Sequence, residues 1–283
     1  MNNIFSDISK KIEPSFADAL SEVKKIADDL SIPFFLIGAK ARDCILEYHY
    51  DIRSPRVTED IDIAVLVPDW EKYKTLTDAL LATSKFSKEK QKQRYAYNDT
   101  LIDIVPFGPI SGKNKEVKWP PECEVIMSTF GFEEIYKHAI TLRLRDNPIL
   151  DVKMPTIPGL AIMKLISWSE RNSPERQKDA KDLLFIMKNY EDAGIESRLY
   201  EKESSLLEEE GFDNQLAGIR LLGRDMAKIS NADTLEKIKE ILSNETGDQT
   251  QYELISNMLG ISGSFEETLM QLEKLEQGVS EVL

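Results

Sequence analysis

Apolar residues recur along this chain in two rhythms, and the change between them falls near residue 154. Before it, short apolar runs alternate with helical stretches. Ser15, with Asp18 three residues on, resembles a capping box for a first helix that runs to Leu30. Ile32 to Ile37 is a short apolar run and predicts a strand. Gly38 ends it, and Ala39 to Tyr48 resumes helical spacing, so this stretch reads strand, tight turn, helix. His49 to Glu59 is a polar connection, and Asp60 to Val67 predicts a second strand. Asp69 then caps a helix with an apolar face of Trp70, Tyr73, Leu76, Leu80 and Leu81. Arg94 to Tyr97 and Leu101 to Val105 flank Asn98-Asp99-Thr100 and predict a hairpin, followed by a long loop from Pro106 to Pro121.

From Met154 onward nearly everything has helical period. Pro155 and Pro158 punctuate the boundary, and helices are expected over 159–171, 174–192, 196–209, 213–229, 233–243, 249–259 and 264–277. Residues 230–233 and 262–264 read as joints between helices. The expected organisation is α+β: a small mixed sheet flanked by helices over 1–153, then a helical region over 154–283.

Composition narrows the function. No apolar stretch approaches the roughly 20 residues a membrane helix requires, and Met1 to Asp7 lacks the pattern of a secretory signal, so a cytoplasmic protein is expected. The two cysteines, Cys44 and Cys123, match no metal spacing, and two histidines supply a zinc site or a histidine-based triad poorly. Residues 199–283 carry 18 acids against 7 bases, so -11 of the net charge of -14 lies there. That balance disfavours broad nucleic-acid binding, which rests on many Lys and Arg contacts to phosphate.

The chemistry is concentrated in Asp60-Ile61-Asp62, two carboxylates at alternate positions of an apolar run. Residues two apart on a strand share a face, and like charges that close are destabilising unless a cation lies between them. Mg²⁺ or Mn²⁺ is the natural candidate. Asp103, between Ile102 and Ile104 on the later strand, adds a third carboxylate. The Gly38 turn would offer backbone N–H groups at a helix start. Three inward carboxylates beside such a turn suit two-metal nucleotidyl transfer, with Asp60, Asp62 and Asp103 as ligands and Asp103 able to accept the hydroxyl proton.

These residues resemble the DNA polymerase β-like nucleotidyltransferase superfamily, in its AbiEii/AbiGii-type toxin branch. The resemblance is carried by Gly38-Ala39, by Arg56-Val57-Thr58-Glu59-Asp60-Ile61-Asp62, by Ile102-Asp103-Ile104, by Gly159 to Lys164 and by Lys178-Asp179-Ala180-Lys181-Asp182. It spans about Phe34 to Tyr190. It implies the minimal nucleotidyltransferase fold followed by a helical region, Mg²⁺ dependence with two ions, and an NTP donor. It further implies that Lys164 approaches the triphosphate and that Asp182 supports the site from a neighbouring helix. The role implied is a toxin of a bacterial toxin–antitoxin or phage-defence system, with tRNA as a possible acceptor and an antitoxin protein as partner. The superfamily turn is usually Gly-Gly or Gly-Ser. Ala39 therefore removes a hydroxyl contact to phosphate, for which Lys40 and Arg42 stand close enough in sequence to substitute.

Alternatives stay open at this point. A small-molecule acceptor such as an aminoglycoside would be attracted by the acidic C-terminal half. A non-catalytic nucleotide-binding module would retain the fold without turnover, a reading that Ala39 favours and the three carboxylates oppose. Thr58 reads as a strand cap as readily as a nucleotide contact, and Arg56 can serve phosphates or a structural carboxylate. Lys164 and Asp182 can equally form a salt bridge between helices. Lys85, Lys88, Lys90, Lys92 and Arg94 form one basic run, read as a solvated loop and, for an RNA acceptor, as the first candidate for backbone contact.

Overall fold

A computed structural model describes residues 4–56, 58–172, 174–247, 251–259 and 263–282. Val57 of the sequence motif, the start of the helix expected over 249–259 and the Ser262 joint lie outside the described residues. The chain divides into two units, Met1–Thr156 and Ile157–Leu283. Among the described residues no helix is long and apolar enough to cross a membrane.

In the first unit β1 (Ser6–Asp7) and α1 (Pro14–Asp29) precede β2 (Phe34–Ile37), α2 (Gly38–Arg42) and a π-helical continuation over Asp43–His49. β3 (Ile61–Leu66), α3 (Trp70–Ala82), β4 (Phe86–Lys88), β5 (Arg94–Tyr97) and β6 (Thr100–Phe107) follow. β7 (Glu116–Lys118), β8 (Ile126–Ser128), α4 (Phe132–Lys137), β9 (Ile140–Asp146) and β10 (Ile149–Met154) complete the unit. Strands β2, β3, β6, β5 and β4 form, in that order, a mixed five-stranded sheet. The β3–β6 pair is parallel, with α3 in the crossover between them, and the other pairs are antiparallel. β1, β9 and β10 form a second sheet and β7 with β8 a third.

Apolar burial explains this arrangement. β2 is buried at all four positions, and Ile61, Ile63, Ile102 and Ile104 have no solvent exposure. Helices α1 and α3 contribute Phe16, Leu20 and Val23, and Tyr73, Leu76 and Leu80. Each such side chain contributes about 1.5–3 kcal/mol on burial. Phe35 packs edge-on against Phe107 with centroids 5.4 Å apart.

Several boundaries differ from the sequence reading for local reasons. Helix α1 begins at Pro14, whose fixed φ suits the first helical position, so Ser15 lies inside the helix instead of capping it. Asp60 precedes β3 instead of opening it. Pro106 and Phe107, expected in a loop, belong to β6, where they pair with Val65 and Leu66. The helix expected over 196–209 is broken into α7 (Glu196–Glu201) and α8 (Ser204–Glu209).

The second unit is helical: α5 (Ile157–Glu170) and α6 (Glu175–Lys188) precede the short pair α7 and α8, and α9 (Asn214–Ile229), α10 (Ala232–Thr246), α11 (Glu253–Leu259) and α12 (Phe265–Ser280) follow. Asp213, Asn231 and Ser264 cap α9, α10 and α12 through their side chains, each worth about 1 kcal/mol. Helices α9 and α12 approach closely because glycines face the crossing. A Cβ on Gly278 would stand 1.9 Å from the Arg220 carbonyl oxygen, and one on Gly223 would stand 2.3 Å from that of Leu275. On an exposed helix face Gly→Ala stabilises by about 1 kcal/mol. Gly278→Ala is expected to do the opposite, lowering stability by about 2 kcal/mol in urea unfolding followed by circular dichroism, because the methyl group meets backbone that cannot yield.

Candidate active site

The site grows from the centre of the five-stranded sheet. Parallel pairing of β3 with β6 sets Asp62 opposite Asp103, and antiparallel pairing of β2 with β3 sets Asp62 opposite Ile37, the residue before Gly38. Gly38 turns the chain into α2 with φ +70, a conformation that favours glycine, and a Cβ there would lie 2.2 Å from Asp62 Oδ2. The turn and the carboxylate are therefore packed together, and the absence of a side chain at residue 38 makes that possible. Asp60, just ahead of β3, completes the group.

Neighbouring carboxylates require positive charge, and Arg94 of β5 supplies it to Asp103 and Asp60. The β5–β6 register puts Arg94 opposite Asp103. Its Nε donates to Asp103 Oδ1 at 2.7 Å and its Nη2 to Asp103 Oδ2 at 2.9 Å, while Nη2 also donates to Asp60 Oδ2 at 3.0 Å. This two-pronged, charge-assisted contact is among the stronger polar interactions a protein makes. Hydrogen bonding to Asp103, with the charges of Asp103, Asp60 and Asp62, raises the guanidinium pKa still further against the opposing effect of burial. From behind, Tyr73 of α3 donates its hydroxyl to the Ile104 carbonyl at 3.0 Å, and burial holds the phenol well above its usual pKa. β6 is thus tied to α3 one residue from Asp103.

Other residues singled out from sequence are placed as follows. Ala39 is buried, and Lys40 lies with Nζ 5.5 Å from the Phe16 ring centroid. Arg42 is fully buried. Its Nε and Nη2 donate to Asp43 Oδ1 at 2.9 and 2.6 Å, and Nη2 donates to the Arg56 carbonyl at 3.2 Å. Burial pushes the Asp43 carboxyl up, with the adjacent Arg42 charge pulling it down. Arg42 thereby braces the connection that leads to β3. Arg56 and Thr58 are half-buried within that connection. In the helical unit Lys164 of α5 is gripped by Asp179 and Asp182 of α6, each at 2.8 Å, and Arg171 Nη1 takes the second oxygen of Asp179 at 3.0 Å. Asp179 and Asp182 are three apart and so share a helix face. Of the basic run, Lys85 pairs with Glu22 and Lys92 with Glu122, and Lys88 lies over the Tyr95 ring and donates to the Lys92 carbonyl.

The carboxylates have the hard oxygen donors that Mg²⁺ and Mn²⁺ prefer. In this arrangement they are organised around a guanidinium: among the described residues no three His, Cys, Asp or Glu side chains come together to hold a metal. The donor chemistry fits a divalent cation, and Arg94 already engages two of the three donors.

The family model for the nucleotidyl transferase AbiEii toxin of type IV toxin–antitoxin systems matches residues 27–259. The chain belongs to this family and is a nucleotidyltransferase. No protein of curated function matches it. Among solved structures, it is similar to the antibiotic-resistance factor ANT(2'')-Ia in solution, with 14% identity over 70% of this chain and 97% of that one and a TM-score of 0.36. A crystal structure of ANT(2'')-Ia with adenylyl-2''-tobramycin gives 14% identity over 72% and 97% and a TM-score of 0.37. The Thermotoga maritima CCA-adding enzyme complexed with tRNA gives 12% identity over 97% and 83% and a TM-score of 0.28. At these scores neither likeness bears on the substrate of this chain.

Substitutions at two positions test the geometry. Gly38→Ala places a methyl group against the Asp62 carboxylate at positive φ, and is expected to cost about 2 kcal/mol or more in chemical unfolding. Lys164→Met leaves two buried carboxylates without their shared ammonium. It is expected to cost about 3 kcal/mol in the same measurement, with Lys164→Arg recovering part of the loss.

Proposed function

We propose that this chain transfers a nucleoside monophosphate from an NTP to a hydroxyl acceptor and releases pyrophosphate, in a reaction dependent on a divalent cation. The observation that carries this reading is the registered pair Asp62–Asp103 with the Gly38 turn packed against Asp62. In the reaction the acceptor oxygen attacks the α-phosphorus and the bond to the bridging oxygen of the β-phosphate breaks. Asp103, on the central strand and braced through Tyr73, would take the hydroxyl proton. Asp60, Asp62 and Asp103 would hold the cation. When bound, it would lower the charge on the triphosphate and favour ionisation of the attacking hydroxyl. The Gly38–Ala39 turn, with Lys40 nearby, would face the triphosphate with backbone amides in place of the hydroxyl that Ala39 lacks.

Membership in a toxin family supports a role in growth arrest countered by an antitoxin, with an RNA such as tRNA as the acceptor. A second reading has its own support. The -11 charge over residues 199–283 and the pairing of Lys85 and Lys92 with glutamates favour a cationic small molecule, of the aminoglycoside kind, over a polyanion. Incubation with each of the four α-labelled NTPs and Mg²⁺, with total tRNA in one arm and an aminoglycoside panel in another, separates the two. Asp62→Asn, nearly unchanged in size, is expected to reduce transfer about a hundredfold or more. The proposal fails if wild-type protein labels neither RNA, protein nor small acceptors while binding nucleotide no differently from Asp62→Asn.

A further inference from the structure

Arg94 engages both oxygens of Asp103 and one of Asp60, the carboxylates that nucleotidyl transfer requires for a divalent cation. The contact is built into the fold. The residue's position on β5 is set by pairing with β6, Tyr95 beside it is buried, and Tyr73 ties β6 in place. The Arg94 side chain is nonetheless 23% exposed, so its guanidinium has a path to solvent while its Cα is held in the sheet.

A guanidinium and a divalent cation compete for the same carboxylates: Arg94 has taken one lone pair of each Asp103 oxygen, and the two cations repel one another at contact distance. The three carboxylates in turn need some positive charge whether or not a metal is present. We propose that Arg94 is the resident counter-ion of the Asp60–Asp62–Asp103 group, and that a divalent cation binds only by displacing it from Asp103. This inference rests on the nucleotidyl-transfer reading and adds a property of its site. Arg94 sets the cation concentration at which the site loads and keeps the carboxylates in place until then. Affinity for a ligand is reduced by the fraction of molecules in the competent state, so a strong Arg94–Asp103 contact lowers apparent metal affinity in proportion. Once released, the guanidinium stays tethered beside the site, where a triphosphate would give it a new anionic partner.

The test is Mn²⁺ binding to the full chain by electron paramagnetic resonance and calorimetry, without nucleotide. Arg94→Gln is expected to bind Mn²⁺ about tenfold more tightly than wild type or better. Arg94→Lys, which keeps the charge and loses the two-pronged contact, is expected to fall between them. Arg94→Gln combined with Asp103→Asn should lose the gain, locating the bound ion. In wild type, the Arg94 Nε–H resonance, assigned by its loss in Arg94→Lys, should shift as Mg²⁺ is added. Equal or weaker Mn²⁺ affinity in a folded Arg94→Gln, or an unmoved Arg94 resonance at saturating Mg²⁺, overturns the inference. If Arg94→Gln does not fold, Arg94→Lys decides: affinity no tighter than wild type overturns it. The label-transfer assay keeps the two failures apart. Transfer by wild type with unaltered Mn²⁺ affinity in the variants removes only the role of Arg94, whereas absence of transfer from every NTP removes the catalytic reading beneath it.

Discussion

Asp62 and Asp103 stand opposite one another on neighbouring parallel strands, and a guanidinium entering from the next strand holds Asp103. Much of the first unit can be understood as holding that arrangement. β3 and β6 must be adjacent and parallel to bring the carboxylates level, which demands a crossover, and α3 provides it while Tyr73 anchors β6. Gly38 lets the chain pass close to Asp62. Arg42 and Asp43, buried beneath the turn, secure the connection that returns the chain to β3. The π-helical segment begins at Asp43, directly after α2.

Much of this framework was legible in the chain itself. The Gly38 turn between an apolar run and a helical period, the Asp69 cap and the hairpin before Asp103 are local signals that tertiary structure had no reason to override. The alternation of Ile140 to Met154 around Asn147-Pro148, which forms β9 and β10, was not among the elements expected from the sequence. Other features depended on information that spacing does not contain. Proline at residue 14 displaced Ser15 from the cap because its φ already matches a helix. Asp60 lies outside β3, so its meeting with Arg94 is a matter of chain path instead of strand alternation. Arg94 looked like the last member of a basic run because the eye follows sequence neighbours. Its partner is nine residues away across a turn, and four of that run's five cations are engaged within the chain.

Ion pairing is used differently in the helical unit. The Lys164–Asp179–Asp182 group is nearly sealed from solvent, and its carboxylates are engaged by the Lys164 ammonium and the partly exposed guanidinium of Arg171. Replacing such a group by apolar side chains is often neutral, whereas removing one member is severe. A lysine that fits a phosphate-binding role by sequence pattern thus also has a clear structural one. On α9, Arg220 and Arg224 reach Glu281, and Arg220 also reaches Glu209 and Glu210, which disperses part of the negative charge that dominates this half of the chain.

The turn joining β5 to β6 has a loop of two residues, Asn98 and Asp99, with Tyr97 paired to Thr100. Asn98 adopts φ +50, which asparagine tolerates better than most residues. Counting back from this pair brings Arg94 level with Asp103. A loop of three residues, ending at Thr100, would instead bring Tyr95 level with Asp103 and turn Arg94 to the other face of the sheet. Which side chain meets the carboxylates is thus decided by where a solvent-facing bend closes, and a slip of one residue in that register would exchange a charged counter-ion for an aromatic ring.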